Sequence, residues 1–137
     1  MTLLDTVVLS ELRKQNPSKK VLAWLRTQPA EQLFISVVSL GEIERGIVKV
    51  QKTDAAFAVG LALWLEDTVL LYGDHILPVT APIARRWGRL SAELGHEGAD
   101  LLIVATALEH GLTVATRNVR HFKPSGVKVV NPFAAGS

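Results

Sequence analysis

The 137 residues are the length of one domain, and a hydrophobic content of 48% supplies a core, which excludes disorder for the body of the chain. Cysteine is absent, which excludes a disulfide framework and thiolate metal sites. A net charge of +2 permits nucleic-acid binding without arguing for it, but the basic residues gather at Arg13, Lys14, Lys19 and Lys20, at Arg85, Arg86 and Arg89, and at Arg117, Arg120, His121 and Lys123.

Thr2 to Leu4 reads as a short buried strand ending at Asp5, followed by a short helix over Val7 to Lys14. Asn16-Pro17-Ser18 breaks it, and Ser18 caps a helix from Lys19 to Thr27 with Val21, Leu22, Trp24 and Leu25 on its apolar side. Gln32 to Ser36 is the next strand. Ser39 with Glu42 three residues on has the spacing of a capping box, opening a helix from Leu40 to about Lys52. Asp54 to Tyr72 is a long helix apolar on nearly every face, which makes it either the core helix or a surface for a partner. Ile76 to Val79 is a strand, Thr80 caps a helix that has Pro82 in its first turn and runs to Leu94 and Gly95, and a further helix starts near Asp100 and stops at Gly111. Leu112 to Ala115 is a strand, Thr116-Arg117-Asn118 a turn, and Val127 to Val130 the last strand.

Strands alternate with helices and no Asn-Gly or Asp-Gly hairpin signal occurs, so the fold class expected is α/β with a mainly parallel sheet. One domain over 1–133 and a disordered tail over 134–137 are expected. The N-terminus has no basic stretch before its apolar residues, and the run Val59 to Leu65 is far short of the ~20 residues that span a bilayer. The expectation is a soluble cytoplasmic protein with no membrane partner.

Asp5, Glu42 and Asp100 each sit where an apolar segment meets a loop or helix. In open parallel sheets, functional groups cluster beyond the carboxyl ends of the strands, where Thr116 and Asn118 also fall. Carboxylates brought together repel one another, and a hard cation such as Mg²⁺ (or Mn²⁺) holds them ionised. Such an ion lowers the pKa of bound water for attack on a phosphodiester, and the basic clusters suit a phosphate backbone, although each also reads as an ordinary solvated face. Taken alone, Glu42 also has a structural reading as a helix cap, which is the weaker of the two. Rival chemistries lack their motifs: there is no Gly-x-Ser-x-Gly elbow, no Walker loop, and no paired zinc spacing among His75, His96, His110 and His121. His110, beside Gly111, fits a helix C-terminus better than a catalytic role. An aspartyl-nucleophile phosphatase wants a second Asp two residues after the first, and this chain has Val7 there.

Leu3-Leu4-Asp5-Thr6-Val7-Val8-Leu9-Ser10-Glu11-Leu12 resembles the opening motif of PIN-domain VapC toxins, particularly the FitB-like branch. Ile35-Ser36-Val37-Val38-Ser39-Leu40-Gly41-Glu42-Ile43-Glu44-Arg45-Gly46 is similar to the second motif, and the stretch from Asp100 to Thr113 to the third. Thr116-Arg117-Asn118-Val119-Arg120-His121-Phe122, with Gly126-Val127 and Asn131-Pro132-Phe133, resembles the C-terminal end. Four motifs in order span essentially the whole chain.

The resemblance implies a three-layer α/β/α PIN fold, Mg²⁺- or Mn²⁺-dependent ribonuclease activity on RNA, and a type II toxin–antitoxin role. It also implies inhibition by a VapB-type antitoxin and a homodimer, extended to a larger toxin–antitoxin complex on operator DNA. Carried over by position, Asp5 and Asp100 are the principal metal ligands and Glu42 a third carboxylate. Thr6 and Thr116 orient them, Asn118 supports the metal or its water, and Arg117, Arg120 and His121 are candidate contacts to RNA phosphate. Two departures stand out: Val7 replaces the usual Asn, and neither Asn118 nor His121 supplies the family's fourth carboxylate. They leave open an alternative, a catalytically weak PIN module that acts by binding RNA or its antitoxin and by operon autoregulation. The antitoxin groove is expected around Val8, Leu12, Trp24 and the long Asp54–Tyr72 helix.

Overall fold

The computed structural model describes residues 1–96 and 98–134; the expected tail at 134–137 therefore falls, from 135 onward, outside the described residues. In chain order the elements are β1 (Thr2–Leu4), α1 (Thr6–Glu11), α2 (Lys19–Arg26), β2 (Leu33–Ser36), α3 (Val37–Gln51) and α4 (Ala55–Tyr72). They continue with β3 (Ile76–Leu77), α5 (Ala81–Leu94), α6 (Ala99–His110), β4 (Thr113–Ala115), α7 (Val119–Phe122) and β5 (Val129–Val130). The five strands form one sheet in the order β3-β2-β1-β4-β5, with every pairing parallel. β1 is the central strand, so whatever follows its carboxyl end lies at the middle of the sheet edge.

Alternation along the strands divides the core in two. Leu3, opposite Phe34 and Val114, packs against Ile83, Ile103, Val104 and Phe122 from α5, α6 and α7. Its neighbour Leu4, opposite Ala115, packs on the other face with Val8, Val21, Ile35 and Ile43 from α1, α2, β2 and α3. Successive side chains of a strand point to opposite faces, and here both faces are covered by helices, giving three layers. This is the α/β/α arrangement expected.

Local chemistry sets the helix ends. Ser18 Oγ accepts from Val21 N–H, Thr80 Oγ1 from Ile83 N–H, and Pro82 occupies the first turn of α5. α6 stops in a Schellman turn: Gly111, at φ 67°, passes its N–H to Leu108 O (3.3 Å), and Leu112 N–H reaches Ala107 O at 2.8 Å. That turn delivers the chain directly into β4.

Two expectations are corrected. Ser39 does not cap α3; the helix begins earlier, at Val37, with Ser36 as the cap accepting from Val38 N–H at 3.0 Å. Ser39 is fully buried within the helix, so the Ser39–Glu42 spacing marks one helix face and not a capping box. Beyond the expected Thr116-Arg117-Asn118 turn the chain adds α7 and a 3₁₀ turn at Lys123–Ser125. Val8 and Trp24 belong to the core, at 0% and 6% exposure, and form no part of a surface groove.

Of the two readings of α4, the partner surface fits better than a core helix. Only Ala58, Leu65 and Thr68 are buried, a single stripe against the rest of the fold, whereas Leu63 is 63% and Leu70 and Leu71 are each 81% exposed. By length and composition alone the segment Ala55–His75 is also apolar enough to cross a bilayer.

Glu11 pins the α1–α2 connection. It is 7% exposed, its Oε2 accepts Ser18 N–H at 2.8 Å, and its Oε1 receives Lys14 Nζ at 2.8 Å. The Lys14 contact, with help from the Ser18 N–H, holds its carboxyl below the ordinary value of 4.5. Glu11→Ala should cost roughly 1.5–3 kcal/mol at pH 7, the worth of hydrogen bonds to a charged group. That contribution is present above pH 4.5 and is lost as the pH falls through the lower folded value, so thermal unfolding of the two proteins should converge in acid.

Candidate active site

The carboxyl end of β1 places Asp5 between its two neighbouring strands. Its backbone N–H donates to Ala115 O of β4 at 2.9 Å, and its carbonyl accepts from Leu9 N–H as α1 begins. The side chain is 3% exposed and both oxygens are held: Oδ1 accepts Thr6 N–H at 2.8 Å, and Oδ2 accepts Thr116 Oγ1–H at 2.9 Å. Thr116, itself fully buried, follows β4 and is positioned by its own N–H on Val130 O of β5. Its hydroxyl oxygen also accepts Asn118 N–H at 3.0 Å, which ties the start of the α7 segment to the same hydrogen-bond chain.

Glu42 is fixed from the other side. Thr6 Oγ1 donates to Glu42 Oε1 at 2.6 Å and lies 2.7 Å from Ser39 Oγ. A hydroxyl has one proton, so with Thr6 donating to Glu42 the Ser39 hydroxyl must donate to Thr6. Ser39 is thus a member of the site that the sequence reading had assigned to a cap. Its position three residues before Glu42, on one face of α3, is the pattern that could have revealed it.

Asp100 sits in the first turn of α6, where the helix dipole favours a negative charge. Its Oδ2 lies 3.1 Å from His121 Nε2, and the His121 ring is tilted against His96 at 5.0 Å. Asp100, Arg117, Asn118, Arg120 and His121, with Val119 and Asn131, line one cleft of about 580 Å³. Val119 and Asn131 are wall residues to which sequence reasoning assigns no role. Glu42 and Thr6 open instead onto a smaller groove of about 230 Å³ bounded by Ile43, Phe57 and Leu61.

Electrostatics connect the three acids. The Asp5 carboxyl is pushed up to about 6, first by burial and then by the charges of Asp100 and Glu42; the Thr116 and Thr6 hydrogen bonds only partly oppose this. Among the described residues no basic group pairs with Asp5 or Glu42. The same residues contain no ready-made set of three closely packed metal-ligating side chains. The donors of Asp5, Asp100 and Glu42 are hard carboxylate oxygens, the class of which Mg²⁺ takes only one or two directly, so the chemistry of the set fits such an ion.

The raised Asp5 value has a consequence for stability. Between its ordinary value of 3.8 and about 6 the folded state binds more protons than the unfolded chain, so stability falls as the pH rises through that window. Asp5→Asn removes the charge and keeps the shape. It should stabilise the protein at pH 7 by on the order of 1–3 kcal/mol, part of the relief being offset by a weaker Thr116 bond. The advantage should shrink toward pH 4, and a variant less stable than wild type at pH 7 would show that the carboxylate carries no electrostatic strain.

Comparison with known proteins agrees with this arrangement. The PIN domain family model matches residues 2–126. A VapC ribonuclease from Sinorhizobium fredii is 33% identical over 138 residues, covering 97% of this chain and 98% of its own. Toxin FitB of Neisseria gonorrhoeae is 33% identical over 139 residues, with 97% and 99% covered. A solved structure of FitAB bound to a DNA fragment superimposes with a TM-score of 0.85 at 31% identity, covering 100% of this chain and 99% of that one. A five-stranded parallel sheet with an acidic centre at its carboxyl edge, together with these likenesses, identifies the chain as a PIN-domain protein of the VapC/FitB type.

Proposed function

We propose that this protein is a Mg²⁺- or Mn²⁺-dependent endoribonuclease that hydrolyses RNA phosphodiester bonds as the toxin of a type II toxin–antitoxin pair. The observation that carries this reading is the Asp5 carboxylate, strained by burial and then by Asp100 and Glu42, held by Thr116 and Thr6, and close to a cleft walled by Arg117 and Arg120. The relatives named as a VapC ribonuclease and as a toxin support it.

Asp5 and Asp100, with Glu42, would hold the divalent ion, which when bound supplies charge neutralisation and Lewis acidity for attack on phosphorus. The chain's own residues do the positioning. Thr116 and the Thr6 amide fix both Asp5 oxygens, and the Ser39–Thr6 relay fixes Glu42. Arg117 and Arg120 offer counter-charge to the phosphates, and Asn118 and His121 present polar edges to the same cleft.

Silencing would come from a VapB-type antitoxin laid along the groove from Thr6 and Glu42 to Phe57 and Leu61, where a partner reaches the acidic centre and the apolar flank of α4 together. FitAB, solved bound to a DNA fragment, supports such a partner; a role for the pair on operator DNA, in the cytoplasm, belongs to the same proposal. A homodimer is part of the same proposal.

A second reading, a weakly catalytic module acting through binding, is favoured by Val7, which is 38% exposed where the family has a polar residue, and by His121 beside Asp100 where a carboxylate is absent. Calorimetric titration separates the two: no divalent binding with retained antitoxin affinity would favour the second. For the first, purified protein should cleave RNA with added Mg²⁺ or Mn²⁺. Asp5→Ala or Asp100→Ala should reduce the rate by at least about 100-fold, and Thr116→Val, which removes only the orienting hydroxyl, by about 10–100-fold. Undiminished cleavage by both aspartate variants would refute the nuclease assignment.

A further inference from the structure

Two polar clefts flank the acidic centre, and Arg117 lines both. The cleft of about 580 Å³ beside Asp100 has Arg117 in its wall, and so does a second of about 260 Å³ over α1 that also includes Arg13 and Lys14. Arg117 directly follows Thr116, the residue that donates to Asp5. Among the described residues its guanidinium makes no ion pair, although Glu11 lies close enough to feel its charge. Glu11 is already matched by Lys14 and by the Ser18 N–H.

What restrains Arg117 is an aromatic face. Its Cζ lies 3.9 Å from the centroid of the Phe133 ring. Stacking of this kind fixes the plane of a guanidinium and leaves its N–H edges free to donate to a phosphate. The ring is itself anchored, because Asn131 Oδ1 accepts Phe133 N–H at 2.9 Å and Asn131 O accepts Ala134 N–H at 3.2 Å. The strand just before it is tied to the arginine's own segment by Thr116 N–H on Val130 O at 2.9 Å. Arg13 repeats the arrangement more loosely, 5.5 Å over Phe57.

We infer that Arg117 is the phosphate clamp of this site and Phe133 its positioning residue, and that the RNA backbone passes from the Asp100 cleft across the rim above Asp5 toward Arg13 and Lys14. The inference rests on the nuclease reading and adds the substrate's path to it. An arginine at the junction of both clefts contacts the backbone on whichever side of the cut it lies, whereas Arg120 reaches only one cleft.

The test is binding of a short fluorescein-labelled single-stranded RNA, measured across a salt series in an Asp5→Asn background so that cleavage does not interfere. Arg117→Ala should weaken binding and lower the slope of log K against log salt by about 0.7, the loss of one phosphate contact. Arg13→Ala should do the same. In the protein with Asp5 intact, Phe133→Leu should raise KM with kcat little changed, and Phe133→Trp, which keeps a stacking face, should restore KM, a pattern that a folding defect does not produce. An unchanged salt slope in Arg117→Ala overturns the clamp, and leaves the nuclease reading standing if Asp5→Ala still abolishes cleavage. Phe133→Leu kinetics equal to wild type overturn the positioning role. Absence of RNA binding by every form at low salt brings down the nuclease reading and the inference together.

Discussion

A carboxylate buried at the carboxyl end of the central strand governs this structure. Burying an ionised group is costly unless it is hydrogen-bonded, and Asp5 has a donor on each oxygen. One donor is the first amide of α1 and the other a hydroxyl 111 residues away. The parallel pairing of β1 with β4 brings that distant hydroxyl to the carboxylate. The alternation that sends Leu3 into one core and Leu4 into the other fixes β1 from both faces, so the position of Asp5 is set by packing before any chemistry is considered.

The charge pattern around Asp5 is unbalanced in a directed way. Burial, and after it two further acids, raise its proton affinity, and the nearby basic groups have other contacts: Lys14 with Glu11, Arg117 on Phe133, Arg13 on Phe57. A protein selected only for stability would gain by pairing such a carboxylate or replacing it. Leaving it strained, with arginines at the rim, suits a site that takes its positive charge from outside and its phosphate from the substrate. Perturbed carboxyls beside clefts are where function concentrates, and here Asp100, one of the charges that perturb Asp5, lines the cleft.

Much of the architecture was legible in the sequence because its signals are local. Caps at Ser18 and Thr80, Pro82 in a first turn, and the glycines ending α5 and α6 each act within a few residues. The grouping of Asp5, Thr116 and Asn118 at one edge followed from element order alone. Signals shared by two structures misled: an i, i+3 hydroxyl–carboxylate pair fits both a capping box and one face of a helix, and Ser39 with Glu42 is the latter. Apolar periodicity likewise cannot tell a core position from an exposed one, so Val8 and Trp24 looked like surface when they are core, and α4 could be read either way. The Arg117–Phe133 stack was invisible because it depends on how β4 and β5 pair, a tertiary fact with no local signature.

The central claim is that Asp5, Asp100 and Glu42 form one cation-binding centre. A crystal structure of the protein soaked in Mn²⁺, located by its anomalous signal, tests this most directly. The account predicts an ion coordinated by Asp5 and Asp100, with Glu42 bound to it directly or through water. Manganese absent from Asp5, or bound only by surface carboxylates elsewhere, would contradict it.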